Sequence, residues 1–162
     1  MTGPKPEPLK IPAAALDAMA LRAELDYPEE TCGLLFRTAS AVEVVPLRNV
    51  QNDLHRADPA AHPRGARTAY AFDPGELSSA MAGREDQGAE MIGIYHSHPD
   101  HDAYFSATDR REAAPTEWGE PAYPGVTYFV LSVYDRKLKA VAAFAWDEEE
   151  RDFVEVGIER EG

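Results

Sequence analysis

The sequence predicts an α/β fold: a mixed β-sheet flanked by helices, a three-layer sandwich, in one domain spanning 11–162. Three observations lead there. Segments with helical spacing of apolar residues alternate with short apolar, β-branched runs along the chain. Two of those runs, Val126 to Tyr134 and Leu138 to Trp146, are strong strands joined only by Asp135-Arg136-Lys137. Between the helical and strand-rich parts lies a His-rich segment where a strand turns through a loop into a helix. That is a usual place for function in such folds.

The elements follow in order. Residues 1–10 carry three prolines and little apolar content, and read as a flexible leader. Pro12 suits the first turn of a helix, where its missing N–H costs nothing. Leu16, Met19, Ala20, Ala23 and Leu25 continue that helix to about residue 25, and Tyr27-Pro28 stops it. Thr31 to Arg37 and Ala41 to Leu47 form a hairpin across Thr38-Ala39-Ser40. Asn49 to Thr68 reads as a long polar loop, of the kind that forms lids or binding loops. It holds His55 and His62, two loosely set candidate ligands. A short strand, Ala69 to Phe72, leads to Asp73, which caps a helix beginning at Pro74 and ending near Gln87-Gly88. Ile92 to Tyr95 is a core strand with His96 and His98 at its end, and Pro99, which lacks an N–H, stops it. After a polar run, Ser106 opens a helix that reaches Ala114 and stops at Pro115. Thr116 to Gly125 is a loop whose aromatics, Trp118 and Tyr123, face either a groove or the sheet. Phe153 to Ile158 is the last strand.

Composition excludes several classes. Hydrophobic residues make up 44% and charged residues 28%, ordinary for a soluble globular chain. The net charge of −13 argues against sequence-independent nucleic-acid binding, which needs basic surface. It suits a soluble protein, or one whose partner is locally basic. No apolar run approaches the length of a membrane span, and the first residues lack a signal-peptide core, so the expected compartment is the cytoplasm. A single cysteine, Cys32, rules out an intrachain disulfide framework and a multi-cysteine zinc site.

His96 and His98 stand two apart, so an extended backbone points both to one side. Asp109 follows His98 after ten intervening residues, in the first turn of the Ser106 helix, and would point back at the histidines as a third ligand. Taken singly these are ordinary features: a surface histidine pair and a capped helix. Together, three mixed nitrogen and oxygen ligands with no fourth describe a catalytic zinc site with one open position.

His96-Ser97-His98-Pro99, Ser106 and Asp109 resemble the JAMM (MPN-type) metalloprotease motif, His-x-His-Pro followed by Ser-x-x-Asp. The upstream stretch Pro28-Glu29-Glu30-Thr31-Cys32-Gly33 resembles that family's glutamate-bearing segment, in a register that puts the family's glutamate on Glu30 rather than Glu29. The likeness runs from about Ile11 to Ile158, and His96 to His101 are most similar to bacterial members associated with ubiquitin-like sulfur-carrier proteins. Taken alone, Glu30 reads as a solvated surface acid; the resemblance reverses that reading.

The resemblance implies one Zn²⁺ per chain on His96, His98 and Asp109, with Glu30 as the general base and Ser106 as the donor to the oxyanion. It implies hydrolysis of the peptide or isopeptide bond after the C-terminal Gly-Gly of a ubiquitin-like sulfur carrier, its tail lying extended along a strand edge. Cys32, in an apolar strand, reads as buried beside the site rather than as a ligand or nucleophile. His101 reads as an exposed loop residue. Two rivals are a metal-free binding module of the same fold and a zinc deaminase. All five motif positions are present, against the first, and the His-x-Glu and Cys-x-x-Cys that deaminases need are missing, against the second.

Overall fold

The computed structural model describes residues 7–115, 117 and 119–162. The elements are β1 (Leu9–Pro12), α1 (Ala13–Asp26), β2 (Cys32–Arg37), β3 (Val42–Leu47), α2 (Gln51–Ala57), α3 (Pro74–Glu85), β4 (Glu90–Pro99), α4 (Ala107–Ala113), β5 (Thr127–Tyr134), β6 (Lys137–Asp147), β7 (Asp152–Val156) and β8 (Ile158–Glu161). Six strands form one mixed sheet in the order β3-β2-β4-β5-β6-β7. Only β4 and β5 run parallel in it, because the chain between them crosses over through α4; the other neighbours are antiparallel.

Strand alternation divides the apolar residues between two cores. Leu35, Tyr95, Phe129, Leu131 and Val133 pack with Ile11, Leu16, Met19 and Ala23 under α1. Leu34, Ile94, Tyr128, Val130 and Phe144 turn to the opposite face, where Ala80 of α3, Ala113 of α4 and Phe105 cover them. Helix, sheet and helices are the three layers. Gly33 has a steric reason to be glycine: it pairs with Tyr95 across β2 and β4, and a Cβ there would lie 2.5 Å from the Tyr95 ring.

Several expectations are corrected. The polar loop 49–68 contains α2, whose seven residues lack an apolar stripe but carry Asp53 in the first turn and His55 and Arg56 in the last, as the helix dipole favours. Ala69 to Phe72 is not a strand; it makes one bridge, Asn49 to Phe72, and is otherwise irregular. The last strand is broken at Gly157. Its first part closes the large sheet as β7, and its second part, β8, pairs in parallel with β1. Leu9 and Lys10, assigned to the leader by composition, therefore belong to a strand. Strand β4 runs ten residues, past the predicted end at Tyr95 to Pro99, which puts both histidines inside it. Trp118 lies outside the described residues, and Tyr123 packs against the core on the α3–α4 face.

Candidate metal centre

The β2–β4 register builds the site. Cys32 pairs with His96, and the ladder continues beyond β2: Ser97 N–H donates to the Thr31 carbonyl at 3.1 Å, and Thr31 N–H donates to Ser97 Oγ at 2.7 Å. The same antiparallel count places Glu30 opposite His98. Ile94, His96 and His98 share one face of β4, so the apolar core below Ile94 gives way to a polar pocket at the end of the strand. Asp100, in the left-handed region at φ 62°, then turns the chain away, a conformation Asp tolerates better than most residues. Its N–H is held by the Val133 carbonyl at 2.7 Å.

Asp109 arrives from the other side. Ser106 caps α4 in a reciprocal box: Ser106 Oγ accepts from Asp109 N–H and Asp109 Oδ2 accepts from Ser106 N–H, both at 3.0 Å. The box fixes the Asp109 rotamer. Its Oδ2 stands 3.2 Å from His96 Nε2 and 3.4 Å from His98 Nε2, and the two ring nitrogens are 3.2 Å apart. A tetrahedral ion held at 2.0–2.1 Å would separate its ligand atoms by about 3.3–3.4 Å. The three edges match that spacing, so the donor set fits a metal ion with one tetrahedral position open.

Protonation agrees with ligation. His98 Nδ1 lies 3.0 Å from the Asp102 carbonyl, which can only accept; Nδ1 therefore carries the proton and Nε2 presents its lone pair. Ser132 Oγ donates to the neighbouring His101 carbonyl at 2.6 Å and steadies this turn. His96 is fully buried and stacks on Tyr70, with centroids 4.6 Å apart. Burial pushes its pKa down, toward the neutral ring that a metal requires. Burial alone would raise the Asp109 carboxyl, but the imidazoles of His96 and His98 beside it and the hydrogen bond from the Ser106 N–H hold it well below the usual range.

Glu30 lines the same pocket as His98, Ser106 and Asp109, a space of about 220 Å³. It is only 6% exposed. Burial, and then the charge of Asp109, pushes its carboxyl up to about 9. Its N–H donates to the Ala66 carbonyl at 2.7 Å, and Asn49 Nδ2 donates to its carbonyl at 3.0 Å. Glu29 is turned elsewhere, its Oε1 accepting from Asn52 at 3.1 Å. Ser106 Oγ already accepts from Asp109 N–H, which leaves its own proton free to donate into the pocket.

The remaining candidates separate. Cys32 is buried on the His96 face, burial pushes its thiol up, and Sγ–H lies 3.6 Å from the Leu47 carbonyl. His101 is exposed, yet it lines the pocket mouth. His55 and His62 do not join a metal-ligating group among the described residues; His55 Nδ1 bonds the His62 carbonyl at 2.7 Å. Arg64, Tyr70, Tyr104 and Glu112 also line the pocket, and sequence reasoning missed all four. Tyr70 sits in the stretch that resembled a strand, and Arg64 in the polar loop, where periodicity carries no information.

No described helix is long and apolar enough to cross a membrane. Residues 12–153 match the family described as prokaryotic homologs of the JAB domain. The chain is 34% identical over 134 residues to a desampylase of Haloferax volcanii, covering 83% of this chain and 81% of that protein. It is 32% identical over 127 residues to a probable TtuB-protein conjugate cleaving protease of Thermus thermophilus, covering 76% of each. A CysO-cysteine peptidase of Mycobacterium tuberculosis is 32% identical, with 78% and 75% covered. In fold, it is similar to a JAB1/MPN domain protein from Archaeoglobus fulgidus, with a TM-score of 0.54 at 16% identity, over 96% of this chain and 100% of the other.

Proposed function

Because the chain belongs to the family of prokaryotic homologs of the JAB domain, we propose that it is a zinc-dependent hydrolase of ubiquitin-like sulfur-carrier adducts. It cleaves the peptide or isopeptide bond after the carrier's C-terminal Gly-Gly, holds one Zn²⁺ per chain and works in the cytoplasm. The observation that carries the reading is the convergence of His96, His98 and Asp109 beside Glu30 in one pocket. A metal-free binding module would not need three ligand atoms at tetrahedral spacing. The names of the relatives, a conjugate cleaving protease and a CysO-cysteine peptidase among them, supply the substrate class.

When bound, Zn²⁺ supplies Lewis acidity: it polarises the scissile carbonyl, brings the attacking water's pKa to about 7 and lowers the raised pKa of Glu30. The chain's own residues do the rest. Glu30 accepts a proton from water as the water oxygen bonds to the carbonyl carbon. Ser106 donates its hydroxyl proton in a hydrogen bond to the oxygen that becomes negative. The C–N bond then breaks and Glu30 returns the proton to the leaving amine nitrogen. Asp102 and Ser132 act earlier, holding the turn that keeps the His98 ring in register.

The test is mass spectrometry of folded carrier–cysteine and carrier–peptide fusions after incubation with zinc-supplied protein. Cleavage immediately after Gly-Gly, with about one zinc per chain by elemental analysis and none in His98→Ala, is the expected result. Cleavage of unfolded peptides while every folded carrier fusion stays intact would replace this reading with an ordinary metallopeptidase.

A further inference from the structure

Arg64 brings the one guanidinium among the residues that line the pocket. It belongs to the polar segment that follows α2, and its placement is built from several sides. Gln51 Nε2, buried, donates to the Arg64 carbonyl at 2.9 Å. Ala66 N–H donates to Asn52 Oδ1 at 2.7 Å, and the Ala66 carbonyl accepts from Glu30 N–H at 2.7 Å. The side chain reaches across the pocket mouth: Nη2 donates to Thr108 Oγ1 at 2.7 Å and Nη1 to the Thr68 carbonyl at 3.3 Å. Thr108 immediately precedes Asp109, so the guanidinium bridges the backbone that carries Glu30 and the helix that carries Asp109.

No described carboxylate forms an ion pair with this guanidinium. Two of its five N–H groups are used within the protein, and three remain to bind a ligand. Beside the guanidinium the lining carries three carboxyl groups, Glu30, Asp109 and Glu112, among histidine, tyrosine and hydroxyl side chains. An anionic group landing away from the metal, near Glu30 and Glu112, would be repelled unless a cation stood beside it. Arg64 is that cation, close enough for its charge to count at both Glu30 and Glu112.

Position decides which part of the substrate it meets. Glu30 must stand beside the leaving amine to return a proton to it, and the loop that carries Arg64 is bonded to the Glu30 backbone. The guanidinium is therefore on the leaving-group side. The pocket, at about 220 Å³, is smaller than sites that enclose drug-sized ligands and suits a short group. We infer that Arg64 is a specificity-determining residue that binds the free α-carboxylate of a single amino acid joined to the carrier's C-terminal glycine. The inference rests on the hydrolase reading above and narrows it: the favoured substrate is a carrier–amino-acid adduct, in preference to a carrier joined to a protein lysine, whose neighbouring carbonyl is an uncharged amide. A planar fork matches a carboxylate bidentately, which a lysine would not do as well.

The experiment uses two folded carrier adducts that differ in one group: a single C-terminal amino acid with a free carboxylate, and the same residue as its carboxamide. Zinc-loaded protein should cleave the acid at least about tenfold better in kcat/KM. In Arg64→Gln the acid-to-amide ratio of kcat/KM should fall to about one, whatever the change in the rate common to both. Binding of the intact adducts to Glu30→Gln, and to that variant with Arg64→Gln added, should show the same ratio and the same loss. Equal handling of acid and amide by the parent, or an equal fall for both in Arg64→Gln, overturns the role of Arg64. Cleavage of neither adduct by the zinc-loaded parent sinks the hydrolase reading instead, and the binding ratio then decides the role of Arg64 by itself.

Discussion

The two faces of the central sheet are made by the same strands and do different work. Strand β4 shows it within a few residues: Tyr95 turns to α1 and joins a dry apolar cluster, while Ile94 turns to the other face and is followed there by His96 and His98. On the α1 side the core is closed, and its close contacts, such as Gly33 against Tyr95, leave no room for change. On the α3–α4 side the core stops short, and four ionisable groups, Glu30, His96, His98 and Asp109, are gathered where apolar side chains would be more stable. One face secures the fold and the other gives up stability for a site. Strand alternation lets both demands be met without compromise, because a substitution on one face need not reach the other.

Breaking the site face should give the largest effect. Ser106→Ala removes a hydrogen-bond donor from the pocket and should lower kcat by about 10²–10³, the usual cost of one oxyanion donor. It also removes the α4 cap, at about 1 kcal/mol, so urea unfolding run beside the kinetics separates the two losses. A fall in kcat no larger than tenfold would leave Ser106 with only its capping role.

Breaking the closed face should do the reverse. In Gly33→Ala the new methyl meets the fully buried Tyr95 ring, and overpacking of this kind costs about 1–3 kcal/mol. Turnover per folded molecule should stay near the parent value. A variant as stable as the parent would mean that β2 and β4 can part there freely, and a loss of turnover without a loss of stability would mean that the faces are coupled.

A smaller effect sharpens the comparison through pH. In metal-free protein the Glu30 carboxyl is raised from 4.5 to about 9, so between those values the folded chain keeps a proton that the unfolded chain releases. The stability this confers is whole below about pH 4.5 and is lost as pH rises through about 9, with a slope of at most about 1.4 kcal/mol per pH unit. Glu30→Gln has no such proton to lose. Urea unfolding in chelator should therefore show the variant gaining on the parent from pH 6 to pH 8. Parallel stability curves would mean that the carboxyl is ionised throughout.

How far the sequence could be read follows the same division. The α1 face was legible because Leu16, Met19 and Ala23 keep helical spacing and β5 and β6 are long apolar runs. The grouping of His96, His98 and Asp109, which could hold a metal ion, was legible because the three lie close in the chain, and strand alternation and a helix cap are local rules. Glu30 was not legible from its own neighbours: its place depends on a ladder running past the end of β2 to Ser97, and only the family resemblance singled it out. Arg64 and Tyr70 were hidden because the segment that carries them is held by side chains of Asn49, Gln51 and Asn52, and bonds of that kind leave no period. The split of the last strand was missed for a related reason: β8 turns to a partner, β1, nearly the whole chain away.

The central claim is that Glu30, opposite His98, moves the proton in a hydrolysis carried out at the His96–His98–Asp109 centre. Glu30→Gln tests it most directly, since it keeps the shape and all three ligands and removes only the carboxylate. Metal content and turnover on a carrier–amino-acid adduct should be measured on one zinc-supplied sample. The account predicts about one zinc per chain, as in the parent, and a rate lower by about 10²–10⁴. Zinc retained with hydrolysis at the parent rate would contradict it.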